Sequence, residues 1–142
     1  MKRLALFILL LATVHSIYAQ NLVQACDSPR QAQGVLVGAF RVMNTAEVRF
    51  YAANKRYATL PELVNFDETK KLSADKSYAL PVKGSVEIGT AEDPLPGYLL
   101  RIVLGEDGKS YVITANKKDG ACKWVGATTD ERGVIFFIEP LR

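Results

Sequence analysis

The fold follows from one stretch of sequence, PRQAQGVLVGAFRVMNTAEVRFYAANKRY, which occupies residues 29–57. Ser28 and Pro29 suit the cap and the first position of a helix. Apolar residues then recur at alternating spacings of three and four, which places them on one side of that helix. They are Leu36, Ala39, Met43, Ala46, Phe50, Ala53 and Tyr57. The pattern predicts an amphipathic helix over residues 29–56, about 40 Å long.

The segment after this helix predicts one more short helix and little other regular structure. Thr59-Leu60-Pro61-Glu62 is a capping box, which predicts a short helix over the apolar residues that follow it. Residues 67–96 mix charged stretches with proline and glycine. Only two short strands are expected there, Tyr78–Val82 and Ser85–Ile88.

The clearest strand pattern lies in the C-terminal third. Tyr98–Leu104 and Lys109–Ala115 are rich in β-branched and aromatic residues and flank a four-residue loop, which predicts a hairpin. Cys122–Ala127 and Val134–Ile138 form a second predicted pair across the turn at residues 130–133. The order of these elements predicts an α+β fold, in which a long N-terminal amphipathic helix packs on a C-terminal antiparallel sheet.

The start of the chain is typical of a secretory signal peptide. Basic residues precede the apolar run Leu4–Val14, and Ala19 is a small residue at the exit. The run is shorter than the ~20 residues that a permanent membrane span needs. We therefore expect a periplasmic or extracellular protein with a signal peptide at residues 1–19, a short lead-in at 20–27 and a single domain at 28–142.

Removal of the signal changes the chemistry that is available. Loss of Lys2 and Arg3 lowers the formal net charge from +3 to +1, which gives no electrostatic reason to bind nucleic acid or an anionic membrane. The only histidine, His15, is lost as well. Catalysis by Ser-His-Asp or Cys-His and zinc sites that need histidine are therefore excluded for the mature chain. We assign no catalytic residue and no cofactor.

Two cysteines remain after the signal, Cys26 and Cys122. In an exported protein an even number of cysteines is most simply explained by one disulfide. The alternative is that Cys26 carries a lipid, because Val23-Gln24-Ala25-Cys26 loosely resembles the motif of lipoproteins.

Particular residues also resemble a known family. The resemblance is to the globular heads of type IV pilin-like proteins and pseudopilins, and it covers most of residues 36–138 in the expected order. It is carried by Asn44–Val48, Tyr51–Ala53, Tyr57–Leu63, Gly97–Tyr98, Tyr111–Ala115 and Thr129–Ile135. The usual prepilin N-terminal segment is absent, so the chain looks like a pilin-type head adapted to a soluble, exported life. The resemblance implies a non-enzymatic module with protein partners in a secretion or surface assembly.

Two other functions are kept as hypotheses. A small periplasmic hydrolase without histidine would need two acidic side chains that converge in a pocket, one of them with a strongly raised pKa. Ser73 and Lys76 have the Ser-x-x-Lys spacing of serine acyl-enzymes, but a solvated turn explains them better. A calcium- or ligand-binding module would use turn carboxylates, for which Asp107 and Asp130 are the candidates.

Three further residue sets bear on function. Trp124 and the Phe136-Phe137 pair could mark a binding surface or belong to the core. Both faces of the last strand carry apolar side chains, so an exposed apolar face there would indicate a protein partner. Glu47, in the long helix, is expected to be structural, facing solvent or pairing with a nearby cation.

Overall fold

A computed structural model describes residues 29–75, 77, 88–118 and 126–138. Within these ranges the chain forms three α-helices followed by four β-strands, and the strands make one antiparallel sheet. The predicted α+β class is therefore confirmed. The elements are α1 (Pro29–Asn54), α2 (Leu60–Asn65), α3 (Asp67–Ala74), β1 (Tyr98–Leu104), β2 (Tyr111–Lys117), β3 (Gly126–Asp130) and β4 (Ile135–Ile138).

Helix α1 has 26 residues and buries one side along most of its length. The apolar residues expected on that side are buried as far as Phe50, whereas Ala53 is exposed. Phe40 and Val42 are also buried, so the buried side is wider than the spacing rule alone indicates. The helix therefore contributes its apolar side to the core only up to its last turn.

The helix ends two residues earlier than predicted. Lys55 follows Asn54 with a φ of 60°, in the left-handed region, where a helix cannot continue. Its backbone N–H donates to the carbonyl of Tyr51 at 2.8 Å, which satisfies one of the carbonyls at the helix end. The chain then leaves the helix axis and folds back beside it.

Helices α2 and α3 are short and adjacent. The predicted capping box is present at α2, where the backbone N–H of Thr59 donates to Glu62 Oε2 at 2.9 Å. The sequence pattern does not predict α3, and this is a correction to the mixed segment expected from residue 67. Helix α3 buries Thr69 and Leu72, and the Thr69 hydroxyl donates to the carbonyl of Leu63 at 2.6 Å.

The sheet is a simple meander with the strand order β1-β2-β3-β4. Tyr98 pairs with Lys117 at one end of the first hairpin and Leu104 pairs with Tyr111 at the other. The two predicted hairpins are present, but β2 begins two residues later than predicted. Strand β3 runs to Asp130, a residue that the sequence pattern places in the turn, so that prediction was wrong.

One face of the sheet is buried with α1. The buried side chains of α1, of the segment after it and of the inner sheet face form one hydrophobic cluster. From the sheet it includes Tyr98, Leu100, Tyr111, Ile113, Ala115 and Ala127. Burial of this apolar area is the main favourable contribution to folding. Phe50 and Phe66 meet edge to face with their ring centroids 5.5 Å apart, which links α1 to the start of α3.

Two glycines are required by the geometry of the second hairpin. A Cβ on Gly126 would lie 2.3 Å from Asn116 Oδ1 and 2.5 Å from the carbonyl oxygen of Ala115, so β2 could not approach β3 as closely. Gly133, in the turn between β3 and β4, has a φ of 73°, which side chains rarely adopt.

Several sequence-based predictions concern residues outside the described ranges. The signal peptide at 1–19, the lead-in at 20–27, and both Cys26 and Cys122 are among them, so the signal and the disulfide stay predictions. The same holds for Trp124, for Lys76, for the strand Tyr78–Val82 and for most of Ser85–Ile88. Ile88 itself is described and lies outside any strand.

Candidate functional site: an outer sheet face and a buried carboxyl group

The strands alternate between two faces, as the period of a pleated sheet requires. The face turned away from the core is called here the outer face. It is formed by Leu99, Arg101, Val103, Val112, Thr114, Asn116, Gly126, Thr128, Asp130, Phe136 and Ile138. Across it, Arg101 pairs with Thr114, Thr114 with Thr128, and Thr128 with Phe136, so one row of side chains crosses all four strands.

Much of the outer face is apolar and exposed to solvent. Val103 is 63% exposed, Phe136 51%, and Leu99 and Ile138 46% each. Single exposed apolar residues are common on proteins, whereas a larger exposed apolar patch indicates an interaction site. On the outer face Val103 lies beside Val112 on β1 and β2, and Phe136 and Ile138 lie together on β4. The polar side chains of Thr114 and Thr128 separate these two apolar pairs. Arg101 lies on the same face and makes no ion pair with any residue in the described ranges.

Strand β4 lies at the edge of the sheet and carries no charged residue. Phe136 and Ile138 are exposed on the outer face, and Phe137 on the other face is 37% exposed. Edge strands of soluble proteins usually carry charges or proline that prevent association. The exposure expected of an interaction surface is therefore found on the last strand.

A polar cleft of about 410 Å³ lies between α1, the end of α3 and the β3–β4 turn. Its lining is Arg41, Asn44, Thr45, Asp75, Ser77 and Gly133. A hydrogen bond from the backbone of Ser77 lowers the pKa of Asp75, which is the only carboxyl group among the described residues of that lining. The described part of the lining therefore holds no converging pair of acids of the kind that the hydrolase hypothesis needs.

A polar bridge joins α1 to the sheet beside this cleft. The hydroxyl of Tyr111 donates to Asn44 Oδ1 at 3.0 Å, and Asn44 Nδ2 donates to the hydroxyl of Thr129 at 2.9 Å. Tyr111 and Thr129 are both almost fully buried. Each of these polar groups has the partner that burial demands.

Glu47 is fully buried in α1, on the side that faces the chain after the helix. Its Oε2 accepts a hydrogen bond from the backbone N–H of Ala58 at 2.8 Å, whereas its Oε1 has no hydrogen-bond partner among the residues that the structure describes. Burial raises the pKa of this carboxyl group to about 7, although the bond from Ala58 acts in the opposite direction. The expectation that Glu47 faces solvent or forms an ion pair was wrong.

Aromatic rings pack around residues 55–58, the segment that is hydrogen-bonded to Glu47 through the N–H of Ala58. The ring of Tyr57 lies 4.8 Å from that of Tyr51 and 4.6 Å from that of Tyr111, measured between centroids. The backbone N–H of Tyr57 donates to the carbonyl of Gly108 at 2.9 Å. Residues 55–58 are thus fixed to α1 on one side and to the β1–β2 loop on the other.

Arg56, the cation that acts electrostatically on Glu47, already forms an ion pair with another residue. Arg56 makes a two-pronged ion pair with Glu62, with Nη1 3.0 Å from Oε2 and Nη2 2.5 Å from Oε1. Together with the bonds from Thr59, this interaction lowers the pKa of Glu62 to about 2. The two glutamates therefore differ in their protonation near neutral pH. Glu62 stays ionised, whereas Glu47 takes a proton.

The serine and turn residues proposed for catalysis or metal binding lie apart. Ser73 is in the last turn of α3 rather than at a helix start, and its hydroxyl oxygen accepts from the N–H of Ile88 at 3.1 Å. Asp107 accepts a hydrogen bond from the N–H of Lys109, and Asp130 accepts hydrogen bonds from Arg132. Each carboxylate therefore forms these bonds within its own turn. Across the described part of the chain no three metal-ligating side chains cluster. The calcium site stays a prediction.

Among the helices in the described ranges, none has both the length and the apolar character needed to cross a membrane. Comparison of the chain with protein-family models, with curated proteins and with solved structures gave no match.

Proposed function

We propose that the chain is an exported, non-enzymatic interaction module of the pilin-like or pseudopilin-like kind, which joins a secretion or surface assembly through the outer face of its sheet. The observation that carries this proposal is the exposed apolar set on that face, with Phe136 and Ile138 on an uncharged edge strand. Exposure of this kind has a free-energy cost in water that contact with a partner removes.

Contacts between segments that carry the resemblance support the pilin-like part of the proposal. Asn44 belongs to the first of these segments, and its hydrogen bonds reach Tyr111 and Thr129, which begin the last two. The residues that suggested the family therefore meet at the junction of helix and sheet.

The partner is a protein surface that is apolar and carries an acidic side chain. The apolar part matches Leu99, Val103 and Phe136, and the carboxylate matches Arg101, which has no ion pair within the described ranges. Complementary charge at such a contact sets orientation and rate of association more than affinity.

Site-specific photo-crosslinking in the native host tests this proposal. A photo-crosslinking phenylalanine analogue replaces either Phe136 or Val48, which are both exposed apolar residues, at 51% and 59%, but lie on the outer face and on α1 respectively. We expect one partner protein to crosslink from position 136 and not from position 48. We also expect Arg101→Glu to abolish that crosslink while it leaves the melting temperature unchanged.

Three outcomes contradict the proposal. Equal crosslinking from both positions would show a surface without specificity. Crosslinking between two copies of this chain would show that the outer face binds a second copy of the protein and not an acidic partner. Absence of any crosslink from position 136, in cells where the protein is folded and exported, would leave the outer face without a partner.

A further inference from the structure

Residues 55–58, which we call the latch segment, are held closed by a contact that depends on a proton. The segment is tied to α1 through the bond from the N–H of Ala58 to Glu47, and to the β1–β2 loop through the bond from the N–H of Tyr57 to Gly108. Ala58 and Glu47 are both completely buried. Water therefore cannot reach the carboxyl group while the segment is closed.

The two protonation states of Glu47 do not fit this closed arrangement equally. A neutral carboxyl group can still accept the bond from Ala58 with Oε2, and it leaves only an uncharged hydroxyl without an acceptor. An ionised group leaves a buried negative charge on Oε1, which has no partner among the described residues. Burial of an unpaired charge costs far more than burial of an unpaired hydroxyl.

Among the described residues, no cation around Glu47 is available to remove this cost. The charge of Arg56 attracts an ionised Glu47, but the guanidinium is bonded to both oxygens of Glu62. The negative charge of Glu62 in turn repels a negative charge on Glu47. The hydroxyl of Tyr111, in β2, donates to Asn44 instead. The titratable groups that act on Glu47, or on the tyrosines beside it, are Tyr51 in α1, Arg56 and Tyr57 in the latch segment, Glu62 in α2, Tyr111 in β2, Asp130 in β3 and Glu131 in the β3–β4 turn.

We propose that Glu47 is a proton-controlled latch: its neutral form holds residues 55–58 against α1, and its ionised form releases them. Opening lets water reach the carboxylate and separates Tyr57 from Tyr51 and Tyr111, so the aromatic stack is uncovered. This device rests on the buried site alone and is independent of the partner assigned to the outer face. Because burial raises the pKa of Glu47 to about 7, the closed state is favoured in weakly acid conditions and lost as the pH rises.

Amide hydrogen exchange at single-residue resolution tests the latch without any substitution. Two neighbouring amides are each bonded to a glutamate: that of Ala58 to buried Glu47, and that of Thr59 to exposed Glu62. After correction for the intrinsic pH dependence of exchange, we expect protection of the Ala58 amide to fall by about tenfold per pH unit between about pH 5 and pH 7 and then to level off. Protection of the Thr59 amide should change little.

Two variants assign this effect to one carboxyl group. Glu47→Gln keeps an acceptor for Ala58 but cannot ionise, so its Ala58 amide should show no pH slope. Glu62→Gln leaves Glu47 able to ionise, so a pH slope should remain, but it should end at a lower pH because Arg56 is then no longer bonded to a carboxylate at position 62. The proposal is overturned if protection of Ala58 in the unmodified protein is constant or rises with pH, since an ionised acceptor would then simply bind the N–H more strongly. It is equally overturned if the slope persists in Glu47→Gln.

Discussion

At Asn44, helix and sheet are joined by hydrogen bonds as well as by packing. The side-chain amide oxygen accepts a hydrogen bond from Tyr111, and the side-chain nitrogen donates one to Thr129. The two partners are buried and lie on neighbouring strands. Loss of the amide would leave two buried hydroxyl groups unpaired, which costs more than the bonds themselves contribute.

A double-mutant cycle measures this coupling. We expect Asn44→Ala to lower the free energy of unfolding by about 3 kcal/mol and Tyr111→Phe by about 1 kcal/mol. In the double variant the loss should be about 1 kcal/mol smaller than the sum, because the removed groups were paired with each other. Urea denaturation provides the values, with Asn116→Ala on the exposed face as a control. Strict additivity would mean that the hydrogen bond between Asn44 and Tyr111 contributes nothing to stability.

The sequence predicted that both faces of the last strand carry apolar side chains, but it did not decide whether one face is exposed, and it did not reveal that Glu47 is buried. Helical spacing does place Glu47 near Met43 and Phe50 on the buried side, and that was the available signal. The partner of its carboxyl group, the N–H of Ala58, lies beyond the helix end. Its position depends on how the chain reverses after Lys55, which spacing rules cannot give.

Among the elements, the turn between β3 and β4 depends on one left-handed residue. Gly133 has a φ of 73°, and its N–H donates to the carbonyl of Asp130 at 2.8 Å. A Cβ there would come no closer than 3.9 Å to the side chain of Asn44, so space is not the constraint. Any loss of stability on substitution of Gly133 therefore arises from the left-handed backbone conformation and not from a steric clash.

We expect Gly133→Ala to lower the free energy of unfolding by about 1 kcal/mol, since side chains disfavour left-handed backbone. Gly133→Asn should cost less, because asparagine adopts this conformation more readily. Thermal denaturation of both variants in the same buffer gives the comparison. If alanine and asparagine cost the same, or if neither has an effect, then the turn does not require the left-handed conformation.

The elements that the sequence predicted well are those with long, regular patterns. Strand β1 was placed correctly because its apolar residues are bounded by glycine on both sides. Helix α3 was missed because its surface is mostly charged and only Thr69 and Leu72 are buried. The end of strand β3 was placed too early, at Ala127 rather than Asp130, because its small and polar residues, GATTD, give a weak strand pattern and its pairing with β2 decides where it ends.

For the whole molecule, the two cysteines offer the most direct test of export. We expect the exported protein to have a mass that corresponds to cleavage after Ala19 and to the loss of two hydrogens in a Cys26–Cys122 disulfide. Cys26→Ser and Cys122→Ser should each lower the free energy of unfolding by up to ~4.7 kcal/mol, since the disulfide would close a loop of about 100 residues. The double variant should lose little more.

Intact-mass spectrometry and thermal denaturation under oxidising conditions give these results together. A retained leader would exclude the predicted cleavage, and an added acyl mass on the N-terminal peptide would favour the lipid-bearing form of Cys26. Single variants that melt like the unmodified protein would exclude the disulfide.

The bridge through Asn44 also has a consequence for biosynthesis. Its two partners follow it by 67 and 85 residues along the chain. A ribosome releases the chain from its N-terminus, so α1 is complete long before the strands that cover its apolar side exist. Stable folding must therefore wait until almost the whole of residues 29–138 has emerged, because contacts between distant residues form slowly and late. We therefore expect a nascent chain with this order of elements to stay unfolded during synthesis, which is the state that the predicted export through a narrow channel would need.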